Sequence, residues 1–214
     1  MDLRSIAAEA NIHNPMKHHV ADVISKVYDP VGIVSQVTIK LKILLQDLHC
    51  AKIDWNQELS RELLDKWIGL ITEIKETEPV LIPRCYYKQL SLKTDVQWRL
   101  RGFSDASMRV DVAVVYLERC TKERRDLMFV SAKTRVAPTS AQTISRLELL
   151  GTLLLSRLVH NIHEALQHEI TLLPSVCYTD SQIVLYWIKG EHKDWKPFVD
   201  NRVREIRELV LAAC

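Results

Sequence analysis

The chain has 214 residues, of which 47% are hydrophobic and 26% are charged, and its formal net charge at pH 7 is +2. This composition excludes a disordered chain, and the small net charge excludes a strong global field for nucleic acid while leaving a local basic groove open. The five cysteines are scattered without a C-x-x-C pair, which predicts reduced thiols in an intracellular protein, and no apolar segment is long enough to predict a membrane partner.

Two amphipathic helices are predicted in the first part of the chain, over residues 35–50 and 58–76. Ser35 is the expected N-cap of the first helix, and Ser60 or an adjacent residue is that of the second. Apolar residues recur at helical spacing in both segments. They are Val37, Leu41, Leu44, Leu45 and Leu48 in the first helix, and Leu59, Leu63, Leu64, Trp67, Leu70, Ile71 and Ile74 in the second. Residues 77–89 contain two prolines and predict an extended connector.

The pattern changes after residue 92. Three apolar segments with short links, at 96–103, 110–117 and 127–136, predict an antiparallel meander, and the middle one is apolar on both faces, as interior strands are. A long helix over 138–167, a short strand over 175–180 and helices over 181–190 and 197–212 follow. The long helix can carry the chain across the sheet to a parallel fourth strand, so the sequence predicts an α/β fold.

Three acidic residues lie at the ends of these predicted elements. Asp105 follows the first strand, Glu148 lies in the first turns of the long helix, and Asp180 ends the fourth strand. The separations are 43 and 32 residues, so only the fold can bring these side chains together. Clustered carboxylates repel one another unless a cation neutralises them, and Mg²⁺ prefers such oxygens. Two ions held in this way activate water and stabilise the leaving oxygen of a phosphodiester.

Each acid also has a purely structural interpretation. Asp105 fits an Asx-turn, Glu148 completes a capping box that begins at Ser145, and Asp180 with Ser181 fits a helix N-cap. Spacing alone leaves both interpretations open. The sequence contains no P-loop, no G-x-S-x-G, no H-E-x-x-H, no dinucleotide-binding glycine motif and no D-[ST]-G triplet of an aspartic peptidase.

Six segments in order carry a resemblance to a known family: YDPVGIVSQVTIKLKILLQDL, IPRCYY, GFSDAS, SAKTRVAPTSAQTISRLELLGTLLLSRLV, YTDSQIVLYWIKG and WKPFVDNRVREI. The chain resembles the reverse-transcriptase/ribonuclease H region of Bel/Pao-type LTR retrotransposon polyproteins, a family also called Pao retrotransposon peptidase. The resemblance implies a helical thumb/connection-like segment over residues 1–92. It also implies a ribonuclease H-like domain, a mixed sheet with flanking helices, over 93–214.

The resemblance assigns Asp105, Glu148 and Asp180 as catalytic residues and metal ligands, with two Mg²⁺ ions expected and Mn²⁺ as an alternative. The fourth acid of the family lies in an N-P-A-D motif downstream of the last helix, and this sequence ends at LVLAAC before any such motif. We therefore expect the domain to be truncated at its C-terminus. Enzymatic activity then requires that the fourth acid is supplied from elsewhere or is dispensable.

The activity implied by the resemblance is Mg²⁺-dependent endonucleolytic hydrolysis of the RNA strand of RNA–DNA hybrids during reverse transcription. The expected partners are the hybrid and the rest of the polyprotein, including the polymerase palm and the integrase. The expected location is the cytoplasm, in a virus-like particle, with access to the nucleus. A first alternative is a catalytically incomplete nucleic-acid-binding or structural remnant. A second alternative is an aspartic peptidase, which the family label suggests. The absence of the D-[ST]-G triplet opposes this alternative.

Five residues are candidates for contact with nucleic acid. Cations and hydroxyl groups bind the phosphates of a nucleic acid, and RNA is distinguished from DNA by its 2′-hydroxyls. The candidates are Ser107, Lys133, Arg135, Ser181 and Gln182. The alternative for Lys133 and Arg135 is that they are solvated charges on an edge strand.

Overall fold

The computed structural model describes residues 2–82, 96–122, 125–190 and 194–213. The chain forms two compact units, Met1–Tyr86 and Tyr87–Cys214. The predicted boundary between residues 92 and 93, and part of the predicted connector, lie outside the described residues. Among the residues that are described, no helix combines the length and apolar character that a bilayer crossing requires.

The first unit consists of four helices: α1 (Arg4–Ala8), α2 (Lys17–Lys26), α3 (Ser35–Cys50) and α4 (Arg61–Glu76). The predicted apolar stripes of α3 and α4 are confirmed, since Leu41, Leu48 and Trp67 are among the most deeply buried side chains of one shared core. The expected N-cap at Ser35 is wrong, because Ser35 is already the first residue of α3. Asp29 instead accepts hydrogen bonds from the backbone N–H groups just before the helix, at 3.0 and 2.9 Å.

The second unit follows the predicted order of elements. It contains β1 (Gln97–Ala106), β2 (Val110–Cys120), β3 (Arg125–Val136), α5 (Ile144–Leu166), β4 (Leu172–Tyr178), α6 (Gln182–Lys189) and α7 (Pro197–Ala213). The strand order is β3-β2-β1-β4, with β1–β2 and β2–β3 antiparallel and β1–β4 parallel. The predicted α/β fold with a mixed sheet is therefore confirmed, and β2 is an interior strand as its two apolar faces indicate.

The fourth strand begins and ends earlier than its apolar pattern predicts, at Leu172 and Tyr178 instead of residues 175 and 180. Pro174 lies within it, where the register with β1 shifts between Arg99 and Arg101. Proline has no N–H to donate, so it is tolerated here because β4 is an edge strand.

Helix α5 packs on β1 and β2, and α6 and α7 pack on α5. One core lies between α5 and the sheet and is centred on Leu100, Val115 and Leu155. A second core joins α5 to α6 and α7 through residues such as Leu149 and Val203. Because α5 is pressed against the sheet from its first turns, its N-terminal end is held close to the ends of β1 and β4.

Candidate active site

Asp105 lies within β1, one residue before its end, and not after the strand as predicted. Its side chain is exposed, and its Oδ1 accepts a hydrogen bond from the backbone N–H of Ala106 at 2.7 Å. The turn that follows depends on Ser107, whose Oγ accepts hydrogen bonds from the N–H groups of Arg109 and Val110. Since Ser107 provides the turn chemistry, the carboxylate of Asp105 is not needed for it.

Glu148 is half-buried in the second turn of α5. The capping-box interpretation is wrong, because the N-cap of α5 is Thr143 and Ser145 lies inside the helix. Oε2 of Glu148 instead accepts a hydrogen bond from the hydroxyl of Ser181 at 2.6 Å, across 33 residues of sequence. A hydrogen bond to a charged acceptor is among the stronger ones, so this contact fixes the direction of the carboxylate.

Asp180 is exposed and lies between the end of β4 and the start of α6. It is not the N-cap of α6, since Ser181 has that role and its Oγ accepts a hydrogen bond from the N–H of Val184 at 3.3 Å. The hydroxyl of Ser181 thus both caps α6 and donates to Glu148. This leaves the carboxylate of Asp180 free of the capping task that its position suggests.

The fold brings all three acidic residues to one end of the sheet. Phe103 and Tyr178 pair across the parallel strands β1 and β4, and Asp105 and Asp180 each follow two residues later. A methyl group at Gly151 would lie 3.1 Å from the carbonyl oxygen of Asp105, so α5 touches β1 at this point. Glu148 lies one helical turn before Gly151 and therefore faces the same end.

The three acidic side chains do not form a closed cluster. Within the described ranges, no group of three or more His, Cys, Asp or Glu side chains is placed so that it would hold a metal ion. The donor set itself suits a hard divalent cation, since it consists of carboxylate oxygens and such ions also accept water and phosphate oxygens as ligands. The residues therefore fit such an ion in chemistry, with two of the three carboxylates exposed.

The five predicted nucleic-acid-binding residues divide into two groups. Ser181 and Gln182 lie at the start of α6 beside Asp180, and Ser107 lies in the turn after Asp105. Lys133 and Arg135 are exposed on β3, the edge strand farthest from β4. Both groups lie at the end of the sheet that carries the acidic residues, but the second group is two strands away from Asp105. Contact of either group with nucleic acid stays a prediction.

Sequence reasoning missed two polar residues that shape this domain. Asp111 is 1% exposed, and neither of its carboxylate oxygens has a hydrogen-bond partner among the residues that the structure describes. Burial raises the pKa of Asp111 to about 6, against the opposing effect of Arg135. The signal was a single acid inside the apolar run VDVAVV. Arg207 of α7 donates hydrogen bonds to three carbonyl oxygens at the end of α6. No local sequence pattern indicates these contacts.

Comparisons with known proteins agree with the predicted resemblance. The family model of the Pao retrotransposon-like RNaseH-like domain matches residues 16–181. Curated proteins give no match. Among solved structures, RNase H1 from the archaeon Halobacterium salinarum NRC-1 is similar at 13% identity and a TM-score of 0.34, over 54% of this chain and 77% of that one.

A second solved structure is the foamy viral protease-reverse transcriptase in complex with double-stranded DNA. It is similar at 11% identity and a TM-score of 0.38, over 88% of this chain. This chain spans only 32% of the length of that protein. The family match extends from α2 to the start of α6 and includes all three acidic residues. The chain therefore belongs to the Pao retrotransposon-like RNaseH-like domain family.

Proposed function

We propose that this protein hydrolyses the RNA strand of RNA–DNA hybrids, with Asp105, Glu148 and Asp180 holding Mg²⁺. The observation that carries the proposal is the hydrogen bond from Ser181 to Glu148, which joins α5 to α6 at the end of the sheet where the two aspartates lie. A carboxylate that only closed a helix end would not need a partner 33 residues away. Membership of the family supports the same assignment.

Each residue has a distinct task in this proposal. Glu148 is oriented by Ser181, while the exposed carboxylates of Asp105 and Asp180 remain open to ions and substrate. Bound Mg²⁺ would supply the polarisation of the phosphodiester and the activation of water. Two ions are expected, and Mn²⁺ is the alternative ion. Ser107 and Gln182, beside the acids, would contact the backbone or the 2′-hydroxyls of the RNA strand.

The setting of this reaction would be reverse transcription of a retroelement. The partners would be the hybrid and the remainder of the polyprotein, and the cytoplasmic particle with nuclear access would be the location. The family match supports this setting.

A hydrolysis assay tests the proposal. The full chain is given a labelled RNA–DNA hybrid, or a DNA duplex of the same sequence, in Mg²⁺, Mn²⁺ or EDTA. We expect cleavage of the RNA strand alone and only with a divalent ion. Ser181→Ala should lower the rate by roughly 10–100-fold, as loss of an outer partner of a metal ligand does, and Asp180→Asn should lower it further.

The matched control is Asp65→Asn, which removes an exposed carboxylate from α4 in the other unit and should cleave like the wild type. Cleavage that survives Asp180→Asn would overturn the site assignment. Cleavage of the DNA duplex at an equal rate would overturn the substrate assignment.

A second candidate is a non-catalytic module that binds hybrid or joins parts of the polyprotein. The observation in its favour is that the described acidic side chains form no group of three placed to hold an ion. In the same assay, hybrid binding without cleavage in either metal would favour this candidate over the nuclease.

A further inference from the structure

The sheet of the second unit has one face on which α5 packs and one on which it does not. Gly102 and Ser104 of β1 point toward α5, where Leu155 and Thr152 lie. Strand side chains alternate, so Arg101, Phe103 and Asp105 point to the opposite face. The open face is defined here as this second face of β1 together with its neighbours on β2, β3 and β4.

Aromatic side chains form a continuous row across the open face, with one ring from each strand. They are Tyr178 on β4, Phe103 on β1, Tyr116 on β2 and Phe129 on β3. The first two rings are stacked with an interplanar angle of 12° and centroids 4.8 Å apart, and the next two contacts are edge-to-face at 6.0 and 6.2 Å.

Two rings of the row are accessible. Phe103 and Tyr178 are each 39% exposed, whereas the residues on the α5 side of the same strand, Leu100 and Gly102, are buried. The hydroxyl of Tyr178 accepts a hydrogen bond from Arg101, which holds this ring in place. Phe103 lies between the stacked ring of Tyr178 and the ring of Tyr116, so the face of Tyr178 that is turned away from Phe103 is the one on which a further planar group can stack.

Positive charge lies beside the row on the same face. Arg101 forms an ion pair with Glu118 at 2.8 Å, Arg99 is opposite Glu118 in the strand register, and Arg125 also acts on this carboxylate. Three guanidinium groups around one carboxylate leave an excess of positive charge at this end of the open face, while the carboxylate of Asp105 lies toward the other end of β1. The nearby arginines lower the pKa of Glu118 against the effect of its burial, so this acid stays charged.

We propose that the open face binds single-stranded nucleic acid, with a base stacked on Tyr178 beside Phe103 and the phosphate backbone beside Arg99 and Arg125. A base has a planar face and a phosphodiester has a negative charge, and this surface offers both complements in a fixed arrangement. An apolar protein segment would match the rings but would gain little from the arginines. The positive charge around Glu118 therefore favours nucleic acid.

The position of the row relates it to the candidate active site. Asp105 follows Phe103 by two residues on the same face of β1, a distance of about 7 Å along the strand. A nucleic-acid strand stacked on Tyr178 beside Phe103 would thus lead toward the acidic residues. The proposed binding requires no metal and no cleavage, so its test is independent of the nuclease proposal.

Fluorescence anisotropy tests the proposal, with the full chain, EDTA and labelled oligo(dT) or oligo(U) of roughly 12 nucleotides, within the site sizes of such grooves. We expect saturable binding that weakens as salt rises. Tyr178→Leu should weaken binding by at least about fivefold, the lower limit for loss of one stacked base. The matched control, Tyr186→Leu, removes a 55% exposed ring from α6 and should bind like the wild type.

A crosslinking measurement on the wild-type protein does not depend on the folding of a variant. Oligonucleotides carrying 5-iodouracil are irradiated with the protein, and mass spectrometry should locate the adduct at Phe103 or Tyr178. Adducts confined to other segments would overturn the proposal, as would equal losses in Tyr178→Leu and Tyr186→Leu. Absence of binding by the wild type, with self-association that Tyr178→Leu abolishes, would overturn it in favour of a protein neighbour.

Discussion

Asp111 is a carboxylate enclosed on the α5 side of β2, in register with Ala106 and Arg135. Burial without a hydrogen-bond partner disfavours the charged form, and this is the cause of its raised pKa. The native state therefore holds a proton on Asp111 at pH values where the unfolded chain has lost it. Asp111 makes the stability of the domain depend on pH.

We expect Asp111→Asn to be more stable than the wild type at pH 7 by roughly 1–3 kcal/mol, since one pKa unit corresponds to about 1.4 kcal/mol. The folded carboxyl releases its proton at pH about 6, whereas an unfolded aspartate does so near pH 4. Wild-type stability should thus fall as pH rises through this window. Urea unfolding at several pH values measures both chains.

Below about pH 4 the two proteins should have the same stability, because the wild-type carboxyl is then neutral in both states. If Asp111→Asn is more stable than the wild type by the same amount at low pH, the shape of the side chain and not its charge causes the difference in stability.

At the scale of single residues, the three acidic residues could be picked out from the sequence because each lies near the start or the end of a helix or strand. Their hydrogen-bond partners could not be predicted. The pairing of Glu148 with Ser181 depends on how α5 meets α6, and the local pattern S-R-L-E pointed to a capping box that does not form. Local signals describe the nearest backbone, while a site depends on distant elements.

Helix α6 is short and is held at both ends by side chains. Ser181 caps its start, and Arg207 from α7 donates to the carbonyl oxygens of Trp187, Ile188 and Gly190 at its end. A cation at a helix C-terminus also interacts favourably with the helix dipole. Arg207 therefore helps to hold the element that positions Ser181.

We expect Arg207→Met to lower the free energy of unfolding by roughly 2 kcal/mol, because hydrogen bonds from a charged donor are lost. The control is Arg204→Met on the same helix, where an exposed ion pair with Asp200 should contribute roughly 0.5 kcal/mol or less. Urea unfolding measures both variants. Equal losses in the two would contradict the role assigned to Arg207.

A pair of helical glycines tests the contact between α5 and β1. Gly151→Ala places a methyl group 3.1 Å from the backbone of Asp105, so the usual gain in helix propensity should be offset and Glu148 displaced from β1. Gly69→Ala in α4 meets no atom within 4 Å and should stabilise its unit by roughly 0.5–1 kcal/mol. Thermal unfolding compares the two variants. An equal gain in stability in both would show that a methyl group fits between α5 and β1.

The types and order of the elements from α3 to α7 were predictable because apolar periodicity differs between helices and strands, whereas the short helices α1 and α2 were not predicted. The residues at which elements start and end were less predictable from the sequence. Strand β4 reaches back to Leu172 in spite of Pro174, because its outer edge needs no proline N–H. Helix α3 has the predicted bounds, but Asp29 binds the backbone groups before it in place of the expected cap at Ser35. Both outcomes depend on neighbours that a sequence pattern does not contain.

The whole molecule has two units with separate cores, one around Trp67 and one around Leu155. Trp67 is fully buried, and its Nε1 donates to the carbonyl oxygen of Asn11 at 2.8 Å within the first unit. Each core draws only on its own unit. Damage to one core should therefore leave the other in place.

We expect Trp67→Ala to destabilise the first unit by roughly 3–5 kcal/mol, and Leu155→Ala to destabilise the second by roughly 2–5 kcal/mol. Amide hydrogen exchange followed by mass spectrometry should show faster exchange only in the unit that carries the substitution. Loss of protection in both units from either substitution would mean that the chain unfolds as one cooperative body.

Strands β1, β2 and β3 meet through short hairpins, whereas β1 pairs with β4 only after α5 has been made. Pairings between distant segments cost more loop-closure entropy and form later. On the ribosome, Asp105 is made 75 residues before Asp180, an interval of about 4 to 15 s at usual rates of synthesis. During that time the nascent chain carries one unpaired edge of β1, and that edge is open to pairing with other chains until β4 arrives.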